Sequence, residues 1–439
     1  MKVIHVPFCF YPDPVGGTEV YVHALSMEMQ KAGVDVLVAA PAREGAHYNH
    51  GSLPARRFQI SGELAPLDLY GDGDMTAAQN FGALLDEEKP NVVHLHSYTS
   101  AASLRLLREV RSRKIMSVFT YHTPTFACMR GTLMRWGTEV CDGVLREGLC
   151  ARCCLHGLGL PRGAADILGS LPAGLAGSLQ AGGLLRKGGI ALGMRGLTRA
   201  RHAAVRTFLQ QVDQVVALCG WGRDVLRNNG VPDAKIALCR HGIIAGEPRS
   251  RVASRSQRAS HTLRIAFLGR LHPTKGTDTL IRAMRRIPGE DVSLDIFGVT
   301  QGEGSAGYAA RIKWLAGKDA RVRFFPPVSA ERVVDRLREY DLLVVPSQWL
   351  ETGPLVVLEA FAAGIPVVGS RLGGIREMIE DGVNGVLVEP RSEAAWAAQI
   401  RRLCRERGTL ERLRAGVTPP RVMADVAREM LGLYARLNA

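Results

Sequence analysis

Between Pro346 and Gly374 the chain reads PSQWLETGPLVVLEAFAAGIPVVGSRLGG, with Glu351 and Glu359 separated by seven residues. Gly353 and Pro354 make a turn in that gap, and Leu355 opens an apolar helix. Glu351 is thus expected on the loop before the helix, and Glu359 about one turn inside it. A helix start offers free N–H groups and a positive dipole end, so it seats phosphate. A carboxylate on each side can hold sugar hydroxyls. The stretch has the chemistry of a nucleotide-sugar site.

A second set of chemical groups lies earlier. Gly269-Arg270-Leu271-His272-Pro273-Thr274-Lys275-Gly276 follows a strand pattern and opens a helix. It places Arg270 and Lys275 at the carboxyl end of a strand, where open α/β sheets bind ligands. Arginine clamps phosphate oxygens in a fork and lysine adds a point charge, so the pair suits a diphosphate leaving group. A solvated turn carrying two surface cations is the alternative. Gly16-Gly17-Thr18-Glu19 also opens a helix after a strand, and its glycines let backbone approach a ligand. By spacing alone it is equally an ordinary loop-to-helix turn. His122, in Phe119-Thr120-Tyr121-His122-Thr123, reads by itself as a core histidine or a site residue.

Cys128, Cys141, Cys150, Cys153 and Cys154 fall within twenty-seven residues. The Cys150-Ala-Arg-Cys153 gap suits chelation. With Cys128 and Cys141 it makes a candidate four-sulfur site, with Cys154 or His156 as substitutes. Zinc is expected over an iron–sulfur cluster, in a structural role. Ordinary thiols or a labile disulfide are the alternative.

These residues need elements to position them. The chain has 439 residues, which suits two or three domains. Its first half alternates short apolar strands with helices: strands at 3–6, 34–40, 92–95, 116–120 and 212–218, and a helix from Thr18 to about Ala32. Residues 124–205 break that rhythm as a Gly-, Leu- and Cys-rich insertion. An Arg- and Ser-rich linker is expected at 247–262. The alternation then restarts, with strands at 264–268, 293–297, 322–325, 342–345, 366–369 and 386–388 and helices at 276–286, 308–316, 333–338 and 355–363. Terminal helices are expected at 393–407 and 421–437. The domains are read as 1–246 and 263–418, with 419–439 packing back on the first.

The net charge of +14 points to an anionic partner or to a solvated basic face. Aromatics are 6% and no nucleic-acid signature is present, so nucleic acid is not an expected partner. Met1-Lys2 runs straight into a strand pattern, and nine cysteines in a chain this long do not suggest a secreted disulfide scaffold; the expected compartment is the cytosol. The uncharged run Ile167–Leu185 contains Pro172 and five glycines and is a poor spanning helix. Leu168, Leu171, Leu175 and Leu179 repeat at helical spacing beside Arg186, Lys187, Arg195, Arg199, Arg201 and Arg206. That pattern suits an interfacial helix on an anionic membrane surface, or equally a core helix pair or a lid.

Gly269-Arg270-Leu271 with Lys275-Gly276, Pro346-Ser347 with Glu351 and Glu359, Gly364-x-Pro366-Val-Val, and Gly373-Gly374-Ile375 with Glu377 together resemble the family 4 glycosyltransferases (glycosyl transferases group 1). The likeness covers Gly16-Gly17, His122 and nearly all of 264–390; the Cys-rich insertion reads as a subgroup trait. It implies a GT-B fold of two facing Rossmann-like α/β domains and a retaining transferase whose active site lies in the cleft between them. It implies that Arg270 and Lys275 bind the donor pyrophosphate and that Glu359 holds the ribose. Glu351 and His122 would contact the transferred sugar. Backbone of Gly353, Pro354 and Leu355 would touch phosphate or sugar, and Gly16 and Gly17 would approach the diphosphate. Arg240-His241-Gly242 stands where the family often has Asn-Gly, a departure at the hinge or acceptor edge.

The resemblance implies transfer of a hexose-type sugar from a nucleotide diphosphate-sugar to an acceptor hydroxyl on a sugar, a lipid-linked or a small-molecule acceptor. No metal or other cofactor is required for catalysis, because cations neutralise the leaving group and the departing phosphate oxygen takes the acceptor proton. A GT-B sugar phosphorylase and a non-catalytic nucleotide-sugar-binding scaffold are the competing readings.

Overall fold

The computed structural model describes residues 1–13, 16–171, 186–244, 262–300 and 305–438. The chain divides into two compact units, Met1–Arg240 with Val426–Ala439, and His241–Asp425. The linker read at 247–262 falls almost wholly outside the described residues, as do Leu175 and Leu179.

The first unit holds β1 (Lys2–Val6), β2 (Asp35–Ala42), β3 (Ala46–His50), β4 (Leu53–Gln59), β5 (Val92–Leu95), β6 (Met116–Tyr121), β7 (Met134–Arg135), β8 (Glu139–Val140), β9 (Gln214–Ala217) and β10 (Ile236–Leu238). Eight of them form one sheet in the order β10-β9-β6-β5-β1-β2-β4-β3. Every neighbouring pair is parallel except β3 with β4. A parallel sheet covered on both faces needs near-continuous apolar strands, and Val3, Ile4, Val6, Val92, Val93 and Leu95 are all fully buried. The edge strand β3, AHYNH, is polar and only half covered; its sequence carries no such apolar run.

The second unit holds β11 (Leu263–Arg270), β12 (Val292–Val299), β13 (Val322–Phe325), β14 (Leu342–Val345), β15 (Val367–Ser370) and β16 (Gly385–Val388). All neighbours are parallel, in the order β13-β12-β11-β14-β15-β16. The strands alternate between two cores. Leu263, Ile265, Phe267, Leu342 and Val344 pack on one face with Trp396. Ala266, Leu343 and Val345 pack on the other with Phe361. This is the doubly wound 3-2-1-4-5-6 order, whose direction reverses between β11 and β14; ligands bind outside the carboxyl ends of the strands at such a reversal. The first sheet reverses in the same way between β1 and β5.

The parallel α/β sheets match the expectation, and most expected strands stand within a residue or two of their observed limits. Features not anticipated include the β3–β4 hairpin, the helices Pro66–Tyr70, Met75–Glu88, Gly220–Asn228 and Gly373–Met378, and the separate helix Arg407–Ala415. The insertion contains the β7–β8 hairpin and the helices Glu147–Gly157, Arg162–Ser170 and Arg186–Gln211. Its basic residues are partly engaged within the unit. Arg195 and Arg199 are ion-paired with Glu147. Arg201 is buried over the Tyr98 ring, and Arg206 donates to the Leu145 carbonyl. These contacts brace the insertion, while Arg199 and Arg206 stay exposed at its surface. Among the described residues no helix is long and apolar enough to cross a membrane.

Candidate functional site

At the reversal in the second unit, β11 ends in Gly269-Arg270 and β14 ends before Pro346. The two following loops are stitched together. Gln348 N–H donates to the Thr274 carbonyl at 2.7 Å, and Gln348 Nε2 donates to the Pro346 carbonyl at 2.7 Å. Gly276 adopts φ +69°, and a Cβ there would sit 2.0 Å from the Pro346 carbonyl oxygen. Only glycine permits both this conformation and this approach.

That seam brings Lys275 to Glu351. Lys275 Nζ lies 2.7 Å from Glu351 Oε2, and Ser347 Oγ donates to Glu351 Oε1. Lys275 also lies 5.7 Å from the Trp349 ring centre. The Glu351 backbone is held in turn, its carbonyl accepting from Gly374 N–H at 2.6 Å. A Cβ on Gly374 would stand 2.6 Å from the Thr352 oxygen, so the glycine pair of the following helix is a packing requirement. Arg270 is exposed at the strand end, and no ion pair to it is present among the described residues.

Leu355 begins the helix Leu355–Ala362, with Pro354 as its N-cap and Glu359 in its second turn. Pro354 and Leu355 are half-buried there, and Gly353 lies against the His241 ring, whose Cδ2 would be 2.9 Å from an added Cβ. Burial pushes His241 down to about 4, so a neutral ring backs the Gly353 loop. This gives the departure at Arg240-His241-Gly242 a physical role. Glu359 is half-buried as a residue, and its carboxyl makes no hydrogen bond or ion pair with the described residues. Burial alone pushes its carboxyl up to about 7. The two glutamates therefore differ: Glu351 is ion-paired with Lys275, and the Glu359 carboxyl has no partner among the described residues.

In the first unit, His122 follows β6 and His96 follows β5. His5 lies on β1, in register with His94 on β5. His96 Nδ1 lies 3.0 Å from His122 Nε2, and His96 Nε2 lies 2.9 Å from His5 Nδ1. His94 engages the Tyr434 hydroxyl and Thr120 Oγ1 at 2.5 and 2.6 Å. All four rings are buried. Burial brings His5 down to about 3 and holds His94 and His96 well below the usual histidine range, so these rings are neutral. Sequence reasoning singled out His122 alone. The signal it missed was His94-x-His96 at a strand end, where alternate residues share a face.

Gly16 and Gly17 stand at the start of the helix Gly17–Lys31. A Cβ on Gly17 would meet nothing within 4 Å, so this position keeps open space. Gly16 N–H donates to Glu19 Oε2 at 2.8 Å, so that donor is already engaged.

The cysteines share a cavity. Cys128, Cys141, Cys150, Cys153 and Cys154 all line it, together with Met129, Arg130 and Met134. Cys153 Sγ accepts from Trp136 N–H at 3.4 Å and from Arg130 Nη1 at 3.5 Å. Burial raises the Cys141 and Cys154 thiols and lifts Cys150 to about 11. Protonated thiols have no reason to converge. Among the described residues, the trio of His, Cys, Asp or Glu whose ligand atoms lie within 4.8 Å of one another is instead His5, His94 and His96. Both nitrogens of His94 and of His96 are spent on hydrogen bonds, so that trio is a polar network and not a ligand set.

Against known proteins, residues 16–242 match the glycosyl transferase 4-like domain and residues 251–417 match glycosyl transferases group 1. A protein of Geodermatophilus obscurus named D-inositol 3-phosphate glycosyltransferase is 32% identical over 239 residues, 52% of this chain and 53% of that one. The chain thus spans about half the length of this curated relative. Among solved structures, a sucrose-phosphate synthase from Thermosynechococcus elongatus superposes with TM-score 0.66 at 18% identity, covering 99% of this chain and 98% of the other. Anabaena HepE, solved with UDP and glucose, gives TM-score 0.65 at 15% identity and 99% coverage of both chains. With two Rossmann-like sheets and both family descriptions accounting for most of its length, the chain belongs to the family 4 glycosyltransferases of GT-B fold.

Proposed function

We propose that this protein is a retaining glycosyltransferase. It moves a hexose-type sugar from a nucleotide diphosphate-sugar to an acceptor hydroxyl, in the assembly of a polysaccharide, a lipid-linked glycan or a glycosylated metabolite. The observation that carries this reading is the cluster at the β11/β14 reversal: the Lys275–Glu351 pair, the exposed Arg270 and Glu359, whose carboxyl has no partner among the described residues. The named activity of the Geodermatophilus relative and the UDP and glucose in the Anabaena structure support a nucleotide-sugar donor.

Transfer builds positive charge on the sugar and negative charge on the departing phosphate. Arg270 and Lys275 stabilise the phosphate. Glu359 accepts the ribose hydroxyls, and the start of the Leu355–Ala362 helix presents N–H groups to the anion. Glu351 and His122 contact the sugar. Lys275 is shared between Glu351 and the phosphate, which holds Glu351 in place without making it a nucleophile. The departing phosphate oxygen takes the acceptor proton. Glu351→Gln tests the assignment: transfer from a panel of nucleotide sugars should fall on the order of 100-fold with the fold intact. Unchanged transfer defeats it.

The cysteine cavity extends the proposal. Closure of Cys128, Cys141, Cys150 and Cys153 on a structural zinc ion would deprotonate the buried thiols and staple the insertion. An iron–sulfur cluster is the lesser alternative. Elemental analysis of freshly purified protein should find about one zinc per chain; stoichiometric absence of both zinc and iron sinks this part.

A further inference from the structure

Three arginines line the cysteine cavity: Arg130, Arg135 and Arg201. None of them makes an ion pair with the described residues. No aspartate or glutamate lines the cavity among those residues, and Asp142, next to Cys141, is taken up by Arg146 at 2.7 Å. His202 also lines it, and burial pushes that ring down to about 4, so it adds no charge. Burial likewise keeps the Cys141, Cys150 and Cys154 thiols protonated. The walls thus carry three guanidinium groups, which do not deprotonate in proteins, and no carboxylate against them.

Arg201 bears most of the cost, since only 9% of it is exposed. Its guanidinium lies 4.2 Å from the Tyr98 ring centre and donates to the Thr125 carbonyl at 2.8 Å. A ring face and a carbonyl do not replace the hydration of a closed-off ion; an anion does. Arg135 is half-buried, and its Nε has no hydrogen-bond partner among the described residues. Arg130 is held beside a sulfur: its Nη1 donates to Cys153 Sγ at 3.5 Å, and Trp136 N–H donates to the same atom at 3.4 Å. Two glycines make room for it. A Cβ on Gly157 would stand 2.7 Å from Arg130 Nε, and one on Gly137 would stand 3.2 Å from Nη2. N–H donors aimed at a sulfur favour its thiolate over its thiol.

We infer that Arg130, Arg135 and Arg201 are the counter-charges of an anionic metal–thiolate centre, positioning residues that act on the metal through the sulfurs. Four thiolates outweigh a divalent ion by about two negative charges, which the guanidiniums offset. Each thiol that coordinates gives up its proton to solvent. A cation held by neutral groups would instead add to the positive charge of the walls. The counter-charge role rests on the zinc reading above and assigns residues that the reading left unused. Arg201 and Cys128 also bond to the segment that follows His122, through the Thr125 and Pro124 carbonyls, so the loaded centre anchors that turn.

The test is the zinc affinity of the full chain, by competition with a chromophoric chelator, together with melting temperatures of the zinc-free and zinc-loaded protein. Arg201→Met keeps the bulk and removes the charge. It should bind zinc about 10- to 100-fold more weakly than the parent, the range for lost partners of metal ligands. Its melting temperature should be at or above the parent's without zinc and below it with zinc, because the charge costs stability only while the sulfurs are protonated. Arg201→Lys keeps the charge and should recover most of the affinity. Arg135→Gln, at a half-buried site, should weaken zinc binding by up to about tenfold. Equal zinc affinity in Arg201→Met and the parent overturns the inference. So does an equal loss in Arg201→Met and Arg201→Lys, which would mark packing as the cause. If Arg201→Met does not fold, unchanged affinity in Arg135→Gln overturns it. Stabilisation of the parent by inorganic phosphate and not by zinc assigns the charges to an oxyanion and overturns it too. A parent that takes up neither zinc nor iron fails the metal reading above; a parent that takes up zinc while the arginine variants bind it equally well fails the counter-charge role alone.

Discussion

At the carboxyl ends of β11 and β14 the polar side chains are charged and only partly paired. At the carboxyl ends of β1, β5 and β6 they are the imidazoles of His5, His96 and His122, which hydrogen-bond to one another, with His5 and His96 held neutral by burial. Both clusters sit where a parallel sheet reverses direction, so topology alone does not explain the difference. The ligand each cluster faces in the proposed reaction does. Phosphate requires cations held ready, and an exposed Arg270 tolerates waiting because water solvates it. A sugar presents hydroxyls, which need donors and acceptors of fixed polarity. A chain of rings with His5 and His96 neutral provides that polarity in the core, where an isolated ion would be costly. The charged cluster stays poised for its ligand, and the imidazole cluster is held by contacts between its own rings.

The strongest way to break this comparison is to remove charge where no structure depends on it. Arg270 is exposed and carries no ion pair among the described residues, so Arg270→Ala should leave the melting temperature essentially unchanged. If it neutralises the departing phosphate, kcat/KM for the nucleotide-sugar should fall on the order of 100-fold. Unchanged kinetics would place Arg270 among ordinary surface cations and leave Lys275 as the cation of the cluster.

The charged cluster was legible in the sequence because its parts are local. A glycine-bounded loop after an apolar strand, and a Gly-Pro turn before an apolar helix, each identify themselves within ten residues or so. The Lys275–Glu351 pair joins two such loops, and the resemblance supplied that join. The histidine chain was largely hidden. His5, His96 and His122 come from three strand ends far apart in sequence, and only β-register aligns them. The β3–β4 hairpin escaped because AHYNH has neither an apolar run nor clean alternation. The Met75–Glu88 helix did carry a signal, since Asp74 accepts from Thr76 and Ala77 N–H as an N-cap. The cysteine spacing was equally visible, yet spacing speaks to reach and not to protonation. The buried thiols line a common cavity without closing on one point.

Glu359 sharpens the comparison with a smaller effect, because its carboxyl has no neutralising partner among the described residues. Its folded carboxyl, raised to about 7, lies above the ordinary value of 4.5. For an acid shifted upward, the folded state holds a proton that the unfolded chain releases. Folding stability is therefore lost as pH rises from about 4.5 through about 7. Glu359→Gln should melt with the parent near the bottom of that window and a few degrees higher above it. Nucleotide binding should run the opposite way. If ribose hydroxyls donate to the carboxylate, the ionised form binds, and the contribution of Glu359 to affinity should fall by up to about tenfold per unit below its pKa. Titration of the diphosphate is common to both proteins, so the difference between parent and Glu359→Gln affinities across pH 5.5–8.5, measured by calorimetry with nucleoside diphosphates, isolates this group. Parallel affinity profiles would mean that the carboxyl does not hold the ribose. Its burial would then be a cost to folding with no return in binding.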